Sequence, residues 1–278
     1  MKNIALALAA ATAFLALPVE AAPAKPLRVL IVSGGGYHNY PEQRRLLEDG
    51  LEAQLNVEVS HLFNETSGAD RRPIVGSANY GDGYDVILHN ECSSQPGDTV
   101  ALDNALAPHR RGIPAVNLHC AMHSYRLETW REPAKPGAAD ARWFAFTGIQ
   151  STGHGPQSPI KLSAINAGHP IAKGLELWTT PNEELYNNLT DFGVTPILAG
   201  IQPNAVKESE RGQQFTVAWT HEYGPAKAKV FSLTLAHNEN TMADKRYLNL
   251  VARGVAWATG HLNDDGSFDA VIRSQKKD

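Results

Sequence analysis

Cysteine is scarce in this chain, with only Cys92 and Cys120 among 278 residues. At most one internal bridge can form. Charge of one sign is lacking too: 25 basic residues stand against 29 acidic ones without a block of either. That balance excludes a nucleic acid or an anionic membrane surface as the main partner. After the first residues no apolar run approaches the roughly 20 residues that a membrane-spanning helix needs, so no membrane anchor is expected beyond that point. Internal repeats and low-complexity tracts are missing. So is a dinucleotide fingerprint: Gly34-Gly35-Gly36 is followed by Tyr37 and His38, not by GxGxxG, and no nucleotide cofactor is expected.

The N-terminus has a lysine, Lys2, an apolar run from Ile4 to Leu17, and small residues around Val19, Ala21 and Ala22. This is the pattern of a secretory signal peptide over residues 1–21, and it implies a periplasmic or secreted protein beginning near Ala22. Residues 22–262 are expected to form one α/β domain, followed by a polar, frayed tail over 263–278.

Continuous apolar runs predict strands buried on both faces at Leu27–Ser33, Tyr84–His89 and Pro114–His119, with a further strand at Asn56–Leu62. Leu46, Leu47, Leu51 and Leu55 recur at helical spacing behind Pro41, and Asp98 stands as an N-cap before the helical pattern that ends near His109. Strands alternating with helices predict a mainly parallel sheet. Trp130–Gln157 lacks periodicity and is expected to be a long loop over the carboxyl edge of that sheet. Later strands are expected at 160–165, 194–199, 215–220 and 230–235. A closing helix should run from about Ala243 to Thr259, ending at Gly260. Cys92 and Cys120 each close one of the predicted strands. A disulfide is open to them, as are free thiols.

Several blocks in order, VSGGGYHNYPE, VNLHCAMH, HPIAKGLELW, NEELYNNL, VAWTHEYGPAKAKVFSLTLAHNE and YLNLVARGVAWATG, resemble the ThuA-like family, named for trehalose utilisation, over roughly Leu27 to Gly260. The resemblance implies a flavodoxin-like, class I glutamine amidotransferase-like three-layer sandwich with a mainly parallel central sheet. It also implies a role in carbohydrate metabolism, some members being tied to trehalose and its 3-keto derivatives. In the amidotransferase relatives a cysteine nucleophile sits at a strand-to-helix elbow and is completed by a His-x-Glu unit. Here that places Cys120 with His237 and Glu239. Leu118 and Met122 are bulky for such an elbow, which counts against the thiol.

The residues themselves point to imidazole chemistry. Histidines cluster at predicted strand ends, and a sugar site needs planar polar groups for hydroxyls together with aromatic faces for the ring. Expected catalytic residues are His38, His119, Glu183 and His237. Expected substrate-binding residues are Tyr37, Asn39, Glu91, Cys120, His123, His154, Tyr186 and His221. His38, His119 and His123 are candidate ligands for a divalent metal, as three imidazoles suit zinc with a position left for water. Glu183 and Glu184 in NEELY also read as the first turn of a helix capped by Asn182. The expected partner is a small carbohydrate. The rival readings are a non-catalytic carbohydrate-binding protein and a cysteine-dependent hydrolase.

Overall fold

A computed structural model describes residues 24–64, 72–205 and 211–274. The predicted signal peptide therefore lies outside the described residues. The first apolar run forms β1 (Leu27–Gly35), followed by α1 (Tyr40–Gln54) with proline in its first turn, and β2 (Val57–Asn64). β3 (Val86–Cys92) leads to α2 (Thr99–Arg110), whose N-terminus is capped by the Asp98 side chain on the Ala101 amide at 2.8 Å. β4 (Ala115–Leu118) runs straight into a tight 3-10 turn, His119–His123.

These strands and β11 (Ala228–Leu233) pair in parallel in the order β2-β1-β3-β4-β11. That order, two-one-three-four-five in the parallel set, is the flavodoxin-like winding, and its ligand crevice lies at the carboxyl ends of the strands. The sheet then continues as an antiparallel half through β10 (Gln214–Tyr223), β9 (Thr195–Ile201), β6 (His154–Ala164) and β7 (Thr179–Tyr186), reaching nine strands. A two-stranded ribbon of β5 (Ile149–Gln150) and β8 (Thr190–Asp191) lies outside it.

Alternation along β1 explains the three layers. Val29 and Ile31 join a core with Leu47 and Leu51 of α1 and with Leu250, Val251 and Val255 of α5 (Lys245–Ala258). Leu30 and Val32 face the other way, toward Leu102 and Leu106 of α2 and Trp143 and Phe146 of α3 (Arg142–Thr147). Side chains of a strand point to opposite faces in turn, so one apolar run supplies both cores.

Three expectations need correction. The stretch 130–157 is not one loop, since it contains α3, β5 and the start of β6. NEELY does not start a helix: Asn182 to Tyr186 lie in β7, paired antiparallel with β6, and tertiary pairing overrides the local capping signal. The tail is not frayed as far as Ser274. Ile272 is buried in the α1–α5 core, and its carbonyl accepts from the Asn56 amide at 2.7 Å.

Candidate active site

Segments that follow β1, β3, β4 and β11 meet segments of β6 and β7 around a cleft of about 510 Å³. Tyr37 and His38 come from the loop after β1, Cys92 and Ser94 from the end of β3, and Cys120, His123 and Arg126 from the segment after β4. Trp130 lies beyond them. Gln157, Glu184 and Tyr186 come from the antiparallel half, His154 starts β6, and His237 precedes α4 (Glu239–Met242).

The backbone is strained around this cleft. Tyr37, His119, Tyr125 and Ala236 all take positive φ, at 79°, 42°, 46° and 78°. Such conformations cost non-glycine residues roughly 1–3 kcal/mol each and persist where the surroundings impose them. Gly35, at φ 93°, passes so close to β3 that a Cβ there would sit 2.5 Å from the Cys92 carbonyl oxygen. The elbow residue after β4 is thus His119. Its ring is 2 % exposed, and Nδ1 donates to the Thr234 carbonyl at 2.8 Å. Nε2 is left facing the Tyr186 hydroxyl at 3.2 Å. His38 is held in the same way, Nδ1 donating to the His237 carbonyl at 2.9 Å. A carbonyl only accepts, so in the neutral ring each contact puts the proton on Nδ1 and leaves Nε2 as an acceptor, which in His119 the Tyr186 hydroxyl can meet.

Glu184 is the hub. Its Oε2 lies 3.3 Å from His237 Nδ1, 3.5 Å from His154 Nε2 and 3.6 Å from His119 Nε2. Gln157 Nε2 is 3.4 Å from Oε1 and 2.9 Å from His237 Nε2. Burial alone would raise the Glu184 carboxyl, but contacts with His119 and His237 outweigh it and hold the group below the usual carboxylate range. The contact with Glu184 in turn raises His237. Burial, joined by the neighbouring His119 and His237, pushes His38 down to about 3. His123 is also held well below its ordinary value, mainly by burial. Its ring stacks on Tyr186 at 4.3 Å, and Nε2 meets Ser151 Oγ at 2.9 Å. Arg126 lies over Trp130, 3.7 Å from the ring centroid, and burial brings its guanidinium down to about 10.

Of the expected site residues, the cleft brings together Tyr37, His38, Cys120, His123, His154, Tyr186 and His237, with His119 directly beneath. It does not include the rest. Glu183 points away: both of its carboxyl oxygens accept from the His237 backbone amide, at 3.1 and 3.0 Å, and its side chain is fully buried. Adjacent strand residues face opposite ways, so Glu184 takes the place expected of Glu183. Glu91 is buried in the core against His89 Nδ1 at 2.8 Å. Asn39 lies at the N-cap of α1 without a side-chain cap bond and outside the cleft lining. His221, on β10, packs near Gly148. His123 does not join His38 and His119 in a metal-capable group; His237 does. Cys120 is bridged to Cys92, so it offers no thiolate, and His237 contacts Glu184 instead of the sulfur. Gln157, Arg126 and Trp130 were not anticipated. Arg126 ends the HCAMHSYR run, whereas Gln157 carried no distinguishing signal.

The family model for ThuA, trehalose utilisation, matches residues 28–258, nearly the whole described chain. The chain belongs to the ThuA family. Two solved ThuA-like proteins are similar to it in fold. One, from Parabacteroides merdae, is 19% identical with a TM-score of 0.63, the match covering 84% of this chain and 90% of that one. The other, from Bacteroides uniformis, is 15% identical with a TM-score of 0.59, covering 87% and 95%. No curated protein matches. In this ThuA domain the flavodoxin-like half thus supplies His38, His119 and His237, and the antiparallel half supplies Glu184 and Gln157. No helix among the described residues is long and apolar enough to cross a membrane.

Proposed function

We propose that the cleft is the active site of an exported enzyme that processes a carbohydrate, most simply a glycoside or disaccharide in its keto form. One observation carries this reading: His119, His154 and His237 converge on the single carboxylate of Glu184 at the wall of an open cleft. Groups that accept and return protons are what acid-base catalysis needs within reach of a substrate. The cleft also offers an aromatic rim on which a sugar ring can pack, Tyr37 being 55 % exposed. A neighbouring cleft of about 440 Å³ shares Gly153 and His154 with the first and is lined by Asn187, Asn188, Gln202 and Gln213 beside Phe215. A second sugar unit fits there, across His154.

A carbon next to a ketone is acidic. His154, half-exposed between the two clefts and oriented by Glu184, removes its proton, the electron pair moves toward the carbonyl, and the bond to the glycosidic oxygen on the following carbon breaks. The imidazolium so formed returns that proton to the leaving oxygen. Arg126 offers donors to the carbonyl oxygen. Family membership supports a carbohydrate as substrate, and the N-terminal pattern supports export. The test is incubation with a panel of glycosides and their 3-keto forms, with products detected directly. Consumption of a keto form supports the enzyme. Saturable binding without consumption of any member would leave a carbohydrate-binding protein.

A further inference from the structure

We propose that His38, His119 and His237 bind one divalent transition-metal ion, of which zinc is the best-fitting, with Glu184 beside it as the balancing negative charge. The proposal concerns the cleft read above as a sugar site and rests on that reading only for what the ion would do.

A nitrogen from each of the three rings lies within 4.8 Å of the others. The spacing of the rings is the stronger evidence. On a tetrahedral ion with metal–nitrogen bonds of about 2.0–2.1 Å, imidazole centroids fall about 5.2 Å apart. Here the three separations are 5.0 Å for His38–His119, 4.9 Å for His38–His237 and 5.5 Å for His119–His237. Two of the rings are already oriented as ligands, since Nδ1 of His38 and of His119 is tied to a backbone carbonyl and Nε2 is turned inward. Outer contacts of this kind accompany most metal-bound histidines. In the third ring Nδ1 faces the Glu184 carboxylate at 3.3 Å and Nε2 lies 2.9 Å from the Gln157 side-chain amide; with that amide turned so that its oxygen accepts from Nε2–H, the Nδ1 lone pair is available to the ion. The Glu184 oxygen sits 3.3 Å from that Nδ1 and 3.6 Å from His119 Nε2, close to the roughly 3.3 Å edge of a zinc tetrahedron. Bare imidazole nitrogens and a carboxylate at these separations repel one another unless a cation or a proton lies among them. Neutral nitrogen donors with one carboxylate suit zinc and its neighbours and do not suit magnesium or calcium. In the proposed reaction the ion would polarise the ketone oxygen.

The full mature chain, stripped with chelator and held without reductant, is titrated with zinc by calorimetry and with cobalt(II) by visible absorption. Free thiols are counted in the same sample, because His38 also lies within reach of the bridged sulfurs of Cys92 and Cys120. The expected result is one equivalent of zinc per chain, and the intense visible bands of four- or five-coordinate cobalt, with no thiol detected. His38→Ala, on the loop after β1, and His237→Ala should each weaken binding about a hundredfold while circular dichroism stays unchanged. Glu184→Gln should weaken it about tenfold. Absence of stoichiometric binding overturns the proposal, as does binding that survives both histidine variants. A chain that consumes sugar while binding no ion would remove the metal and leave the enzyme standing. A chain that binds the ion and consumes nothing would do the reverse.

Discussion

Glu183 and Glu184 are neighbours with opposite fates, and the difference is one of direction. Glu183 is buried and grips the amide of His237, so its work is to place that residue. Replacing it by alanine leaves a buried N–H without its acceptor, which costs about 2 kcal/mol. We predict that Glu183→Ala lowers unfolding stability by that amount in a urea titration; an unchanged midpoint would refute the placing role. His119 shows how strain marks a site. Its left-handed backbone was not legible in the sequence, yet the placement of a histidine at a strand end was, because an apolar run stopping at a polar residue locates the sheet edge. What could not be read was the choice within the pair of glutamates. The Asn-Glu-Glu signal favours a helix start locally, and only strand pairing with β6 reverses it.

At the scale of elements, the two cysteines tie β3 to the turn after β4. The bridge joins residues 28 apart and closes a loop that contains all of α2. Closing a loop of that length restricts the unfolded chain by roughly 3–4 kcal/mol. Cys92→Ser paired with Cys120→Ser should therefore melt well below the parent, and reductant should lower the parent toward the pair. Equal melting temperatures with and without reductant would show the bridge to be absent. The centre of the parallel half was legible because β1, β3 and β4 begin as unbroken apolar runs with a glycine-rich loop or polar residues after them. The antiparallel half was harder. β6 alternates between buried and exposed residues, β7 is the edge strand beside it, and both carry few of the markers that distinguish a strand from a loop; the residues they bring to the cleft, Gln157 and Glu184, were missed or mistaken for that reason.

Across the whole molecule, histidines held neutral inside the fold should govern its response to acid. His109 is fully buried, Nδ1 donating to the Ile113 carbonyl at 2.7 Å, and burial holds it well below its ordinary value. Burial likewise brings His221 down to about 4. Each takes up a proton on unfolding more readily than when folded. Stability is therefore intact above pH 6.5 and is lost as pH falls below it, for His221 until about pH 4. The loss is about 1.4 kcal/mol per pH unit for each group. Thermal melts at pH 7, 6 and 5 should descend, and His221→Leu should descend less steeply than the parent. Parallel curves would contradict the neutral state assigned to His221. The tail holds only a short apolar group, Phe268 and Ala270 to Ile272, in a polar stretch, too little to predict a docked segment; yet Ile272 is buried in the core that Leu55 and α5 share, Phe268 packs against that core, and Arg273 pairs with Leu55.

The claim on which everything else turns is that the carboxylate at the centre of the histidines orients His154 for chemistry. It is tested most directly by measuring product formation from a 3-keto glycoside with the parent chain and with Glu184→Gln, alongside binding of the same sugar to both. The prediction is turnover by the parent, a loss of at least about a hundredfold in kcat on substitution, and sugar affinity changed by less than about tenfold. Equal turnover by the two chains, or none by either while both bind the sugar, would contradict it.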